Sequence, residues 1–149
     1  RFVPTQRKLA GFVEAYLRHL DDGDGAAHVV TTLFTVEGGR AAARELITSG
    51  HTAVICGSDL MALGAVHAAR DLGKRVPEDV SVVGFDDSPL IAYTDPPLTT
   101  VRQPVSAMGT AAAQALVSEI RGTRATRSEL LFRPELIVRG STGSAPRED

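Results

Sequence analysis

The order of apolar runs predicts an α/β fold, a parallel sheet with helices on both faces. Helix-like and strand-like segments alternate through residue 85, a rhythm that calls for right-handed crossovers and a parallel sheet. Residues 81–87, Ser81-Val82-Val83-Gly84-Phe85-Asp86-Asp87, read as an inner strand that ends in a glycine turn and delivers two carboxylates to the sheet's carboxyl edge. Ligands bind at that edge in open α/β sheets. A chain of 149 residues is long enough for one domain with a real core.

Residues 5–20 form an amphipathic helix, with Leu9, Phe12, Val13, Tyr16, Leu17 and Leu20 on one side and Thr5 as a candidate N-cap. Residues 21–25 are a loop and 28–34 a β-rich run. A second helix over 38–49 closes at Gly50, and 52–56 is a short strand. Ser58 or Asp59 caps a third helix that stops at Gly73. Residues 80–85 are the next strand, and 89–93 allow one helical turn. Beyond this point the rhythm fails. Pro96-Pro97, an extended stretch at 98–101 and a helix over 105–120 look like an excursion from the first sheet. That helix carries an apolar stripe of Val105, Met108, Ala112, Leu116 and Ile120, which needs something to cover it. Residues 129–139 read as one or two strands, and 143–149 as a disordered tail.

Charge and composition exclude several classes. Sixteen basic and 18 acidic residues give a net charge of -2, far from the basic field that holds a nucleic-acid backbone. The longest basic cluster, Arg121, Arg124 and Arg127, lies in a Gly/Thr-rich connector. Cys56 is the single cysteine and sits in an apolar run, which reads as a buried thiol. No apolar stretch is long enough for a membrane span, and no signal-peptide pattern is read at residue 1, so a cytoplasmic protein is expected.

The motifs of catalysis are missing from the sequence. It has no phosphate-binding loop, no dinucleotide glycine pattern and no Gly-x-Ser-x-Gly nucleophile turn. His19, His28, His51 and His67 have no partner at ligand spacing, so neither metal nor cofactor is expected. Asp86 and Asp87 are adjacent, point different ways on a strand end, and cannot face each other as an acid–base pair. The chain is therefore expected not to be an enzyme.

Several spaced motifs, in order, carry a resemblance. They are Lys8-Leu9-Ala10-Gly11-Phe12, Phe34 followed by Gly39, residues 52–65, residues 73–87, residues 97–104 and Arg139-Gly140-Ser141-Thr142. Over roughly residues 7–142 the chain resembles the effector-binding domain of the lac repressor family of bacterial transcription regulators. The resemblance implies the C-terminal lobe of a two-lobe, periplasmic-binding-protein-like (type I) fold. Residues 1–97 and 129–142 would form that lobe. Residues 98–128 would be a crossover strand and a helix belonging to a largely missing N-terminal lobe. The family's helix-turn-helix domain is absent from this chain, so operator DNA is a partner only through that missing domain.

The same resemblance assigns a half-site for a small effector, a sugar or nucleoside-like molecule. Asp86 would bind hydroxyls or a purine, Phe34 would stack on the ligand, and Ser58 and Gln103 would add polar contacts. Lys8 falls where the family commonly has Arg, so either Lys8 substitutes loosely, or Arg7 turns inward, or the effector differs. Asp59 would cap its own helix and Asp87 would serve the turn. A homodimer is implied, with Met61, Ala65 and Ala68 of the 59–72 helix and the segment after Asp87 in its interface, although the helix's small residues also suit tight packing on the sheet and both readings can hold on different faces. A periplasmic-type sugar-binding protein of a transporter is the alternative, since it shares the lobes and the acidic cleft residue.

Overall fold

The structure, a computed structural model, describes residues 3–19, 28–122 and 129–145. The loop at 21–25, Leu20, Arg124, Arg127 and residues 146–149 of the expected tail lie outside the described residues. Strands β1 (Ala53–Ile55), β2 (Ser81–Asp86), β3 (Thr99–Arg102) and β4 (Glu135–Ile137) form one four-stranded sheet in the order β1-β2-β3-β4. β1, β2 and β3 are parallel, as expected, and β4 closes the sheet antiparallel to β3. Gly84 lies inside β2, paired with Thr100, and is not the turn the sequence suggested.

The core lies between one sheet face and two helices. Helix α2 (Val36–Thr48) starts at Thr35, whose hydroxyl accepts from the Gly38 N–H. Helix α3 (Asp59–Asp71) starts at Ser58 in the same way, with Met61 N–H as donor. The two helices cross closely because each offers a glycine. A Cβ on Gly64 would fall 2.0 Å from the Val36 carbonyl oxygen, and one on Gly39 would fall 2.2 Å from that of Met61. Ala62, Ala65, Ala68 and Ala69 of α3 are completely buried, together with Val82 and Leu98 beneath them. Each large side chain buried here contributes about 1.5–3 kcal/mol.

This packing removes Ala65 and Ala68 from the expected dimer seam. Ala65 and Ala68 are 0% exposed within the chain itself, and Met61 packs against the same core. The small residues of α3 serve the tight crossing with α2 and the sheet. Its outward side carries Leu60, His67 and Arg70 instead.

Several local expectations also shift. Helix α1 (Val3–His19) is already helical before Thr5, so Thr5 is not its cap. Residues 28–34 form no strand, and among the described residues no backbone hydrogen bond ties them to β1. Val29 and Leu33 are exposed there, and β-formers stabilise a strand only where they pack on a half-buried sheet. Residues 129–139 hold a single short strand, β4.

The stretch expected to leave the sheet at residue 98 stays in it. Leu98, Thr99 and Thr100 are buried, and β3 pairs along β2. The departure begins at Pro104, with helix α4 (Val105–Ile120). No residue of α4 is buried, and Val105, Met108, Leu116 and Ile120 stand open. Helix α1 likewise buries none of its residues.

Candidate functional site

Polar and aromatic side chains converge at the carboxyl ends of β2 and β3. Asp86 ends β2 and is exposed. Gln103 follows β3 directly, and its Nε2 donates to Asp86 Oδ1 at 2.9 Å. From α1, Lys8 Nζ donates to the Gly57 carbonyl at 3.1 Å and lies 3.5 Å from the centre of the Phe85 ring. Burial pushes the Lys8 pKa down and the Asp86 charge pulls it partly back, leaving it below the ordinary lysine value. Phe34 stands over the other side of Gly57: a Cβ on that glycine would meet its ring at 3.1 Å. Phe34 is 46% exposed, so its ring is open to a ligand.

Four of the five expected effector contacts thus meet around Gly57 and the β2 end: Lys8, Phe34, Asp86 and Gln103. Ser58 is 8% exposed and its hydroxyl caps α3, so capping is the role the structure records for it. Lys8 turns in to Gly57, while Arg7 pairs with Glu129 at 3.4 Å and both of these line the adjoining depression. Phe85 was not singled out by sequence. Its signal was available in strand alternation, which turns Phe85 to the sheet face opposite Gly84. A depression of about 210 Å³ continues the site, lined by Phe85, Gln103, Pro104, Met108, Leu131 and Phe132. Among the described residues, no three His, Cys, Asp or Glu side chains gather as a metal-binding group.

The backbone under the site is unusual. Asp86 has φ 114° and Asp87 φ 57°. Residues other than glycine held in such regions cost of order 1–3 kcal/mol each and persist only where surroundings enforce them. Two carboxylates do so. Asp59 is 2% exposed; its Oδ1 accepts from Thr100 Oγ1 at 2.6 Å and its Oδ2 from the Ser88 N–H at 2.7 Å. It therefore braces the β2 exit loop against β3, and the expected cap of α3 falls to Ser58 alone. Gly84 is required beneath it, since a Cβ there would sit 2.5 Å from Asp59 Oδ1 and 2.9 Å from Leu98 Cδ2.

Asp87 does more than serve the turn. Its carboxylate accepts from Arg102 Nε and Arg139 Nη2, each at 2.6 Å, with only 9% of the side chain exposed. Burial pushes its pKa up, but the two arginines outweigh this and hold it below the ordinary carboxylate value. Arg139 also donates to the Leu98 carbonyl at 2.8 Å. Ser141, fully buried, donates to the Val82 carbonyl at 2.6 Å and accepts from the Thr99 N–H at 2.8 Å. The C-terminal segment is thereby stitched between β2 and β3.

A largely parallel sheet with its polar cluster at the strand ends is the arrangement of a periplasmic-binding-protein-like domain, and a family model of that description matches residues 2–142. The chain is 60% identical to the HTH-type transcriptional regulator MalR of Streptomyces coelicolor, over 99% of this chain and 44% of that protein. Among solved structures, a complex of the transcriptional regulator CelR with cellobiose is 40% identical, with a TM-score of 0.80 over 89% of this chain and 41% of that one. The lac repressor dimer bound to operator and an anti-inducer is 28% identical, with a TM-score of 0.79 over 95% of this chain and 49% of that one. The chain belongs to the lac repressor family of transcription regulators, as a C-terminal part of its effector-binding domain. It spans less than half the length of the curated regulators it matches at 60% identity. These relatives favour a regulator over the transporter protein that the sequence left open.

Proposed function

We propose that the chain is the effector-sensing part of a DNA-binding transcription regulator, and that the effector is a polyhydroxylated small molecule of sugar or nucleoside type. The observation that carries this reading is the exposed Asp86 carboxylate at the end of β2, with the Gln103 amide at 2.9 Å. A carboxylate so placed accepts paired hydrogen bonds from vicinal hydroxyls, while an open aromatic such as Phe34 stacks on the apolar face of a sugar ring. The cellobiose bound to a structural relative is a molecule of this class.

The remaining parts follow from this reading. Residues 1–97 and 129–142, together with β3, form one lobe. Helix α4 belongs against a second lobe, which covers its open apolar stripe and closes the cleft. Binding between the lobes changes their angle, and operator DNA is contacted by a helix-turn-helix domain outside this chain. The role is sensing without catalysis, and it is performed in the cytoplasm, where operator DNA lies. A homodimer is part of the proposal. Its seam is drawn on the outward side of α3 and the segment after Asp87, where Leu60, Leu90 and Tyr93 are 53%, 76% and 86% exposed.

The test uses the full-length protein and an operator selected by it from random-sequence DNA. Binding is measured with and without a panel of saccharides and nucleosides. Coupling of about 1–3 kcal/mol, or roughly 5- to 150-fold in operator affinity, is expected for one of them. Operator affinity indifferent to every sugar and nucleoside, with none of them binding the protein, would count against the reading.

A further inference from the structure

We propose that Asp87 is a positioning residue for the effector site, a charged clamp that fixes the facing of Asp86 and Gln103. The inference rests on the reading of Asp86 as the effector ligand. Register places Asp86 opposite Arg102. The side-chain partners run crosswise to that register. Asp86 takes Gln103, at 2.9 Å, and Asp87 takes Arg102, at 2.6 Å. Two consecutive residues of one strand end thus grip two consecutive residues of the other. Asp86 is exposed and the Asp87 side chain is only 9% exposed, so one grip lies on the open side with Asp86 and the other on the covered side with Asp87.

The covered grip holds the open one in place. Asp86 and Asp87 both have positive φ, and a backbone in that state reverts to commoner conformations unless something holds it. The Asp87 carboxylate is held on both oxygens, by β3 through Arg102 and by the C-terminal segment through Arg139. Arg139 is 17% exposed and is fixed in turn by the Leu98 carbonyl. Planar guanidinium groups grip a carboxylate directionally, so the clamp sets an orientation as well as a distance. It also ties the Asp86 loop to both segments through which β3 and β4 connect onward. Arg102 extends the same network to Glu135 of β4 at 3.5 Å.

The test is made on full-length protein carrying ¹⁵N-labelled glutamine, with no sugar present. The side-chain amide signals of Gln103 are assigned by their loss in Gln103→Leu. Asp87→Asn keeps the size of the side chain and its tolerance of positive φ, and removes the charge. The expected result is a shift of the Gln103 amide pair to the free-amide position, with faster exchange against water, while the circular dichroism spectrum is unchanged. If Asp87→Asn yields no folded protein, Arg139→Gln is read in the same way, and Arg139→Lys, which keeps a cation on Asp87, restores the Gln103 signals toward wild type. Gln103 signals that stay in place in the folded variant overturn the proposal. Because the readout needs no ligand, failure of the sugar reading would show separately, as a wild-type protein with a normal Gln103 signal that binds no saccharide.

Discussion

Gln103 donates its side-chain amide to the Asp86 carboxylate at 2.9 Å, across the carboxyl ends of β3 and β2. The contact joins the last residue of one strand to the first residue after its neighbour. Beyond Gln103 the chain leaves the sheet for α4. In the proposed two-lobe protein, a ligand that replaces Gln103 on the Asp86 oxygen, or bridges the two, would act where the chain leaves this sheet for α4. Under the proposed function, that gives a physical route from occupancy of the site to a change in lobe angle.

Asp59 is a brace, and its removal should be costly. Asp59→Ala leaves the Thr100 hydroxyl and the Ser88 N–H without their acceptor. Thr100 is fully buried, and an unsatisfied buried donor costs about 1–3 kcal/mol, while the loss at the exposed Ser88 frees the β2 exit loop. Ser58→Ala, which removes only a helix cap, should cost about 1 kcal/mol. Urea unfolding of the two variants side by side checks the order. A larger loss for Ser58→Ala would return Asp59 to a minor role.

Gly84 admits no side chain. In Gly84→Ala the new methyl would lie 2.5 Å from Asp59 Oδ1. Crowding of this kind costs about 1–3 kcal/mol, and it also displaces the brace. A lowered urea midpoint is expected. An unchanged midpoint would mean that Asp59 has room the structure does not show.

Cys56 is 7% exposed, and burial pushes its thiol up to about 12. Its thiolate is therefore far scarcer at pH 8 than that of a free cysteine, whose pKa is about 8.5. Folded protein should react with a thiol reagent at Cys56 only slowly, and denatured protein at once. Rapid labelling in the folded state would contradict the packing around β1.

The pH dependence of the clamp follows from the depressed pKa of Asp87. Its folded value lies below 3.8, the ordinary value. The ion pairs therefore contribute fully above the unfolded value, and the contribution is lost as pH falls through the folded one. The difference in melting temperature between wild type and Asp87→Asn should be constant from about pH 5 to 8 and should shrink in acid below pH 3.8. A difference that persists undiminished in strong acid would show that charge is not what Asp87 supplies.

Much of this was legible in the chain. The alternation of runs gave the parallel strands, and the apolar run ending in Asp86-Asp87 gave the sheet edge. Ser58 was recognisable as a cap because its partner, Met61, is only three residues away. Asp59 was misread for the converse reason: its partners Ser88 and Thr100 lie 29 and 41 residues along the chain. Ala65 and Ala68 suit either a dimer seam or a tight internal crossing. Only the position of α2, set by Gly39 and Gly64, decides for the crossing. The run at 28–34 has the composition of a strand but not the hydrogen bonds, which depend on a neighbour that composition does not reveal. The arginine clamp on Asp87 joins residues 87, 102 and 139, a convergence that no local pattern announces.

Calorimetry on Asp86 tests the central claim most directly. A saccharide that binds full-length wild type is first found by thermal shift, beginning with cellobiose. It is then titrated into wild type and Asp86→Asn, with circular dichroism confirming the fold of both. Loss of charge-assisted hydrogen bonds should weaken binding by about 1.5–3 kcal/mol, roughly tenfold to hundredfold. Equal affinity in the two proteins would contradict an effector site built on Asp86.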